Sequence, residues 1–227
     1  MSLSAAVSVL DRSTLALAIF ALAFVSSLTP SASGAQAPGV PVLQDAFYDR
    51  GFAVGINLAS GGGRALVGAV AYAPLAGQLV IVAGGGTVRH DSTSEGTAGV
   101  RIAYRVRTFG AERQIGAALF FGTGTTLGPS DGRVGRTPLG VSLAYRRALG
   151  DTRALAVYAA PYYDGTRVKR PRLPTSNSSR FRSALGVDVA VTSSVGAGLG
   201  IDVGSGGAPG TALAAGTQFA AGLSYHF

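Results

Sequence analysis

The amino-acid sequence predicts an all-β fold: a transmembrane antiparallel up-and-down barrel of about ten strands, with eight strands as the alternative. Two observations predict it. Past Gly51, apolar and polar residues alternate with a period of two over segments of about 9 to 12 residues, a length that can cross a bilayer at a tilt. The apolar side of these segments is bulky, whereas the other side is small or cationic. A third observation, an apolar run near the amino terminus, predicts that the barrel is exported.

The composition favours a membrane barrel over a soluble core. Hydrophobic residues make up 47% of the 227 residues, yet 34 residues are Gly and Trp is absent. Such a chain is too rich in small residues for an ordinary packed soluble domain. The chain has no Cys, which excludes a disulfide framework, a thiolate metal site and a Cys nucleophile. We therefore expect one exported domain that folds without disulfide bonds.

The net charge of +8 raises the question of nucleic-acid binding. Lys169 is the only Lys, so the basic residues are almost all Arg. The arginines are scattered singly along alternating segments and do not gather on one helix or around stacking aromatic residues. The charge pattern therefore predicts no nucleic-acid partner.

The apolar run from Leu15 to Val25 is predicted to be part of a cleavable signal peptide. Eleven residues are too few for a transmembrane helix, which needs about 20. Small residues follow the run, as in a signal-peptide cleavage region, and a membrane anchor is the alternative. Cleavage after Ala35 is preferred to cleavage after Ala37, because Pro38 would hinder the peptidase. The predicted organisation is a signal peptide at 1–35, a short segment at 36–50 and the barrel at 51–227.

The clearest alternation lies between residues 99 and 107. The apolar series is Val100, Ile102, Tyr104 and Val106, and the opposite series is Gly99, Arg101, Ala103, Arg105 and Arg107. The same split recurs in 139–146, 180–189 and 195–203. A soluble β-sandwich would alternate too, but its strands are shorter. In lipid the strands must close into a barrel, with the apolar side towards lipid and the small or cationic side lining the lumen.

The alternation predicts ten strands, at 51–60, 64–73, 78–86, 96–107, 113–122, 137–147, 153–161, 180–191, 195–204 and 217–227. Short connections are predicted at 109–112, 149–152 and 192–194. Long ones are predicted at 87–95, 122–136, 161–179 and 204–216. Short turns at one end and long loops at the other are typical of transmembrane barrels.

Aromatic residues are predicted to form girdles at the two membrane interfaces. The predicted inner girdle contains Tyr72, Tyr104, Tyr145, Tyr225 and Phe227. The predicted outer girdle contains Phe121, Tyr162, Tyr163 and Phe181.

The last strand carries a family resemblance. Phe219, Ala221, Leu223, Tyr225 and Phe227 alternate with smaller or polar residues up to the end of the sequence. This strand resembles the terminal signal of bacterial outer-membrane β-barrel proteins, and the strand rhythm is similar to that of small porin-like barrels. The resemblance implies a place in the bacterial outer membrane, with residues 36–50 in the periplasm. It also implies assembly by the barrel assembly machinery, with Tyr225 and Phe227 as the assembly signal.

Charged residues on the small-residue side are predicted to line the lumen: Arg101, Arg105, Arg146, Arg182, Asp188 and Asp202. In the predicted pairing of the eighth and ninth strands, Asp202 lies diagonal to Arg182, which predicts a salt bridge. Arginines in a water-filled lumen would favour anions. The sequence thus predicts a structural barrel or a narrow anion-preferring pore, and leaves both open.

A second group of cations falls in a predicted external loop: Arg167, Lys169, Arg170, Arg172 and Arg180. Guanidinium groups suit phosphate. These residues are therefore predicted to contact outer-membrane lipid, in particular lipopolysaccharide phosphate, with a merely solvated loop as the alternative.

The sequence predicts no catalytic residues, no metal site and no cofactor. Its two His residues, His90 and His226, lie far apart, and the carboxylates show no ligand spacing. His90, Asp91 and Ser92 are consecutive, so they cannot converge on one atom as a triad requires. His226 is predicted to face the lumen as a solvated residue. A barrel enzyme that acts on lipid or peptide at the external rim, or a surface adhesin, remains the alternative.

Overall fold

The structure is a computed structural model that describes residues 51–60, 64–74, 78–90, 93–110, 114–126, 133–150, 153–169, 172–204 and 217–227. The predicted signal peptide at 1–35 and the segment at 36–50 lie outside the described residues. Within the described ranges, no helix is long and apolar enough to cross a membrane.

Ten strands form one sheet. They are β1 (Gly51–Ser60), β2 (Arg64–Ala73), β3 (Leu79–His90), β4 (Thr93–Phe109), β5 (Ile115–Thr126), β6 (Arg133–Ala148), β7 (Ala154–Lys169), β8 (Ser176–Ala190), β9 (Val195–Gly204) and β10 (Gln218–His226). Each strand pairs with its neighbours in the sequence, and β1 pairs with β10. All ten pairings are antiparallel. The predicted closed barrel of ten strands, the fold that the outer-membrane resemblance implies, is confirmed.

The barrel has two distinct ends. β1 begins and β10 finishes at one of them, which we call the termini end. At this end the amide of Phe227 donates a hydrogen bond to the carbonyl oxygen of Phe52 over 2.9 Å. We call the opposite end, where β1 ends and β10 begins, the far end.

The distribution of side chains is the reverse of that in a soluble protein, because many large apolar residues are exposed and several charged residues are buried. In β5, Ala118 and Phe120 point inwards and are buried, whereas Leu119 and Phe121 point outwards and are about half exposed. The same alternation runs through β6 and β7. Because successive side chains of a strand point to opposite faces, the large apolar residues cover the outer wall and small or polar ones fill the inside.

One parity prediction is wrong, at the end of β4. Arg105 pairs with Ala118, but the next paired residue is Arg107, opposite Ala117, so the register shifts at Val106. This β-bulge turns Arg107 to the outer face, where its guanidinium lies 5.2 Å from the ring centroid of Phe109. A strict period of two cannot reveal such an extra residue.

Three of the predicted long connections are wrong. β3 extends to His90 and β4 begins at Thr93, so residues 87–90 and 93–95 of this predicted loop belong to paired strands. Most of 122–136 and 161–179 belongs to strands β5 to β8. Val88, Val134 and Val168 point inwards and are buried in these extensions. The outward residues of these extensions are mainly polar. The strands were predicted from bulky apolar residues on the outward side, so the predicted strands end where those residues end. Residues 205–216 of the fourth predicted loop lie outside the described part.

The aromatic girdles need one correction. Tyr72, Tyr104, Tyr145, Tyr225 and Phe227 are exposed on the outer wall, as are Phe121, Tyr163 and Phe181. Tyr162, in contrast, points inwards with only 3% of its surface exposed. Its position next to Tyr163 forces this outcome, since neighbouring residues on a strand face opposite sides.

Gly186 makes room for an inward-pointing aromatic ring. It is the strand partner of Tyr158, and a Cβ at Gly186 would overlap the ring and hydroxyl of Tyr158. Tyr158 is buried, together with Ala118 and Ala144. The glycine therefore lets a large side chain lie flat against the inner wall.

Candidate functional site in the barrel lumen

Arg182 and Asp202 form a buried ion pair in the lumen. Arg182 Nε donates to Asp202 Oδ1 over 3.0 Å, and both side chains are essentially fully buried. Arg182 faces Gly204 and Asp202 faces Ala184 in the register of β8 and β9, so the pair is diagonal as predicted. Tyr162 on β7 donates its hydroxyl to Asp202 Oδ2 over 2.5 Å. One carboxylate thus joins three neighbouring strands.

A second carboxylate, Asp164, makes a similar cluster nearer the far end. Arg136 on β6 donates from Nε to Asp164 Oδ1 over 2.9 Å and also forms an ion pair with Oδ2 through Nη2. Arg180 on β8 donates to Asp164 Oδ2 from Nε over 3.0 Å and from Nη2 over 2.9 Å. Arg180 is the strand partner of Asp164. The sequence predicts Arg180 both in the external loop and on the lumen side of the strand 180–191. The second position is confirmed, because Arg180 lies on β8 and points into the barrel.

Arg136 and Asp164 are not among the predicted lumen residues, because both fall in predicted loops. The sequence does contain a pattern that indicates both residues, but it lies in the inward-facing series and not in the bulky apolar series from which the strands were predicted. Tyr162, Asp164, Thr166 and Val168 continue the inward series of β7 with a period of two, and Arg180 lies on the inward side of β8. Tracing the inward series alone would have extended the strands and brought Asp164 next to Arg180.

An aromatic layer lies beside the Asp202 cluster. The rings of Phe120 and Tyr162 meet edge to face, with centroids 6.0 Å apart. The Arg101 guanidinium lies 5.9 Å from the Phe120 centroid, and Arg101 is 2% exposed. Ala160 and Ala184 pack with Phe120 and Tyr162 in one buried cluster. Buried side chains of β4, β5, β7 and β8 therefore meet at this level of the barrel.

The termini half of the lumen contains open space. A cavity of about 190 Å³ is lined mostly by Ala and Gly of six strands. Its polar lining residues are Asn57, Arg146, Asp188, Ser224 and His226. His226 Nε2 lies 3.3 Å from Ser224 Oγ. Arg146 and Asp188 face each other across Ala156 in the register of β6, β7 and β8.

The six residues predicted to line the lumen all point inwards. Arg101, Arg182 and Asp202 are buried, whereas Arg105, Arg146 and Asp188 are partly exposed. The structure brings Arg182 and Asp202 into contact and places Arg146 and Asp188 on the wall of the cavity. Three of the six predicted residues are therefore buried, and two line the cavity.

The predicted lipid-contact residues do not form a loop. Arg167 and Lys169 lie at the end of β7 on its outward side, and both are exposed. Arg172 is exposed in the turn after β7 and has a positive φ of 62°. Arg170 lies outside the described residues. The predicted assembly residues Tyr225 and Phe227 are exposed at the termini end, with ring centroids 5.0 Å apart.

The geometry supplies no catalytic constellation in the part of the chain that the structure describes. His90 ends β3 opposite Thr93, and its sequence neighbours Asp91 and Ser92 lie outside the described residues. Among the described side chains, no group of three or more His, Asp or Glu is placed to hold a metal ion.

No protein-family model and no curated protein matches the chain. Among solved structures it is similar to the N-terminal β-barrel domain of OprF from Pseudomonas aeruginosa, with 10% identity over 79% of this chain and 98% of that chain and a TM-score of 0.39. It is also similar to Neisserial surface protein A (NspA), with 15% identity over 78% of this chain and 97% of that chain and a TM-score of 0.38. The barrel of this chain is established by its own strand pairing.

Proposed function

We propose that this chain is an integral protein of the bacterial outer membrane with a structural role, a closed lumen and no catalytic activity. One observation carries the proposal: the closed barrel is apolar outside and charged inside. Leu119, Leu139 and Tyr163 are half or more exposed on the outer wall, whereas Asp164 and Arg182 are fully buried within it. An apolar wall of this kind is stable in a hydrocarbon layer, and a closed barrel leaves no strand edge unpaired there.

The closure of the lumen is supported by the depth of the charged clusters. Arg182, Asp164 and Asp202 have no exposed surface, so water does not reach these groups from either end. The side chains of narrow barrels of about eight strands fill their interiors, and ten strands make the barrel only slightly wider. The cavity is then a vestibule on the termini side of the level that holds Phe120 and Tyr162.

The membrane location is tested by fractionation. The full chain, expressed in a Gram-negative host, should appear in the outer-membrane fraction and migrate faster on a gel when unheated than when boiled. A folded transmembrane barrel resists detergent, which gives this shift. A soluble chain without the shift would disprove the proposal.

The closed lumen is tested by planar-bilayer recording. The refolded wild-type chain should give no conductance steps, because the aromatic layer and the ion pairs block the lumen. A Phe120→Ala, Tyr162→Ala variant should give steps, since it removes both rings of the layer. Phe121→Ala is the matched control, because Phe121 is the outward neighbour of Phe120. Steps from the wild-type chain would disprove closure.

A narrow anion-preferring pore is the second candidate. It is favoured by the charge of the inner wall, where Arg101, Arg105, Arg136, Arg146, Arg180 and Arg182 outnumber Glu95, Asp164, Asp188 and Asp202 among the described residues. A positive lumen attracts anions. Conductance steps from the wild-type chain with an anion-selective reversal potential would support this candidate.

A further inference from the structure

Three cations lie together on the outer wall at the far end of the barrel. Arg133 of β6 and Lys169 of β7 are direct strand partners, and Arg167 lies opposite Gly135, two residues along. All three side chains are exposed. Their sequence neighbours Val134 and Val168 point inwards and are buried, which fixes the cations on the outward face. We call Arg133, Arg167 and Lys169 the far-end cation cluster.

On the same strands, an apolar surface lies on the side of the cluster that faces the middle of the barrel. Leu139, Tyr163 and Phe181 are strand partners on β6, β7 and β8, and all three are exposed on the outer wall. The rings of Tyr163 and Phe181 meet edge to face, with centroids 6.0 Å apart. Arg167 follows Tyr163 by four residues on the same side of β7, a distance of about 13 Å along the strand. An aromatic pair at the edge of an apolar wall is typical of the level of lipid headgroups.

The outer wall presents no carboxylate next to these cations within the described residues. The four acidic residues of the described strands are Glu95, Asp164, Asp188 and Asp202. Asp164, Asp188 and Asp202 lie on the inward series of their strands, and Glu95 is the partner of the inward-pointing Val88. The other seven acidic residues lie outside the described part: Asp11, Asp45, Asp49, Asp91, Glu112, Asp131 and Asp151. The charge on the described outer wall is therefore positive, whereas the ion pairs are inside.

We propose that the far-end cation cluster binds the phosphate groups of a phosphorylated glycolipid, lipid A, in the outer leaflet of the membrane. The inference rests on the proposed function, because an outer-membrane barrel with its termini in the periplasm places the far end in that leaflet. Guanidinium groups bind phosphate through two parallel hydrogen bonds, and Lys169 adds a point charge. Asn177, exposed and opposite Arg167 on β8, adds a hydrogen-bonding group beside the phosphate. Acyl chains would lie against Leu139, Tyr163 and Phe181 below.

The test measures lipid binding to the full chain refolded in phosphatidylcholine nanodiscs. Diphosphoryl lipid A is titrated, and bound lipid is counted by native mass spectrometry. The variant is Arg133→Gln, Arg167→Gln, Lys169→Gln. The matched control is Arg107→Gln, Arg147→Gln, which removes outward cations at the termini end. Dephosphorylated lipid A and phosphatidylglycerol are titrated in parallel.

We expect the affinity for diphosphoryl lipid A to fall about 100-fold in the triple variant, since each cation near an anionic membrane surface contributes to binding. The control should change it less than about twofold, because its cations are at the other end of the wall. Wild-type affinity for dephosphorylated lipid A should be at least about tenfold weaker, because the phosphates supply the charge-assisted hydrogen bonds.

Equal affinity of the triple variant and the wild-type chain would overturn the inference. Equally tight binding of phosphatidylglycerol, lost in the same variant, would overturn the assignment to lipid A. Each preparation is first checked for the heat-dependent gel shift. A chain that shows the gel shift but does not bind lipid A refutes only this inference. A chain that does not show the gel shift refutes the proposed function.

Discussion

The buried carboxylates are the residues on which the inside of this barrel depends. Asp202 accepts hydrogen bonds from Arg182 and Tyr162, and Asp164 accepts them from Arg136 and Arg180. A buried ion pair adds little stability by itself, because both charges lose their hydration. Removing one partner is a different matter, since it leaves the other charge buried without compensation.

Asp202→Ala should therefore destabilise the folded barrel by about 3–5 kcal/mol, the usual cost of breaking a buried pair. The free energy of unfolding is measured by urea titration of the refolded chain in lipid vesicles. Asp188→Ala is the control, because Asp188 lines the open cavity and is partly exposed; a loss of about 1 kcal/mol or less is expected. Asp202→Ala combined with Arg182→Met should recover part of the stability. Equal losses from the two single variants would contradict the burial of the Asp202 cluster.

The two clusters differ in how far the sequence predicts them. The contact between Arg182 and Asp202 follows from the short turn between β8 and β9, because the turn fixes the register of both strands. The contact between Asp164 and Arg180 can be predicted only if the pairing of β7 and β8 is known beyond the segments that have apolar outward residues. The outward residues Arg167 and Lys169 are polar there, so hydrophobic alternation gives no sign of a strand.

Gly186→Ala should destabilise the barrel by about 1–3 kcal/mol, the usual cost of adding a methyl group to a filled site. The new Cβ would collide with the Tyr158 ring, which lies against this glycine. Gly68→Ala on the outer wall is the control, because the nearest heavy atom to its Cβ is the Gly85 carbonyl oxygen at 3.9 Å. Unfolding in urea again gives the free energies. A neutral Gly186→Ala would show that Tyr158 does not occupy this position.

At the scale of a strand, the bulge in β4 decides which residues face outwards at the termini end. Arg105 and Arg107 are both cations in an alternating segment, yet they point to opposite faces because Val106 is left out of the pairing. Phe109 pairs with Ile115, and both are exposed on the outer wall. The extra residue thus keeps the aromatic ring outside and adds Arg107 beside it.

Deletion of Val106 should be tolerated. It removes the bulge while Arg107 and Phe109 keep their partners and faces, so the refolded deletion variant should still show the heat-dependent gel shift. Deletion of Ala103 is the control. It would turn Tyr104 inwards and Arg105 towards lipid, where a charge costs about 2–4 kcal/mol at mid-depth, and the shifted band should be lost. The opposite pattern would place the bulge elsewhere in β4.

At the scale of the whole molecule, closure depends on the meeting of β1 and β10. Phe227 donates its amide to Phe52, and its ring lies 5.7 Å from the Phe52 ring and 5.0 Å from the Tyr225 ring. With 75% of its surface exposed, Phe227 contributes little buried area. We therefore propose that Phe227 contributes to assembly of the barrel more than to stability of the finished fold.

Phe227→Ala should lower the unfolding free energy of the refolded chain only by about 0.5–1.5 kcal/mol, the usual worth of aromatic contacts. In a Gram-negative host the same variant should accumulate severalfold less shifted protein in the outer membrane. Phe181→Ala is the control, since it removes another exposed ring with one aromatic partner, Tyr163, far from the chain end. Equal accumulation of the two variants would refute the role of Phe227 in assembly.

The ion pair between strands also bears on how neighbouring strands find the correct alignment. A slip of two residues keeps every side chain on its own face, so the apolar outer wall cannot distinguish it from the native pairing. Between β7 and β8, such a slip would move Asp164 from Arg180 to Ser178 or Arg182. The first leaves a buried carboxylate without one of its cations, and the second draws Arg182 away from Asp202. The charges in the lumen therefore destabilise an alignment error that leaves the apolar outer wall unchanged.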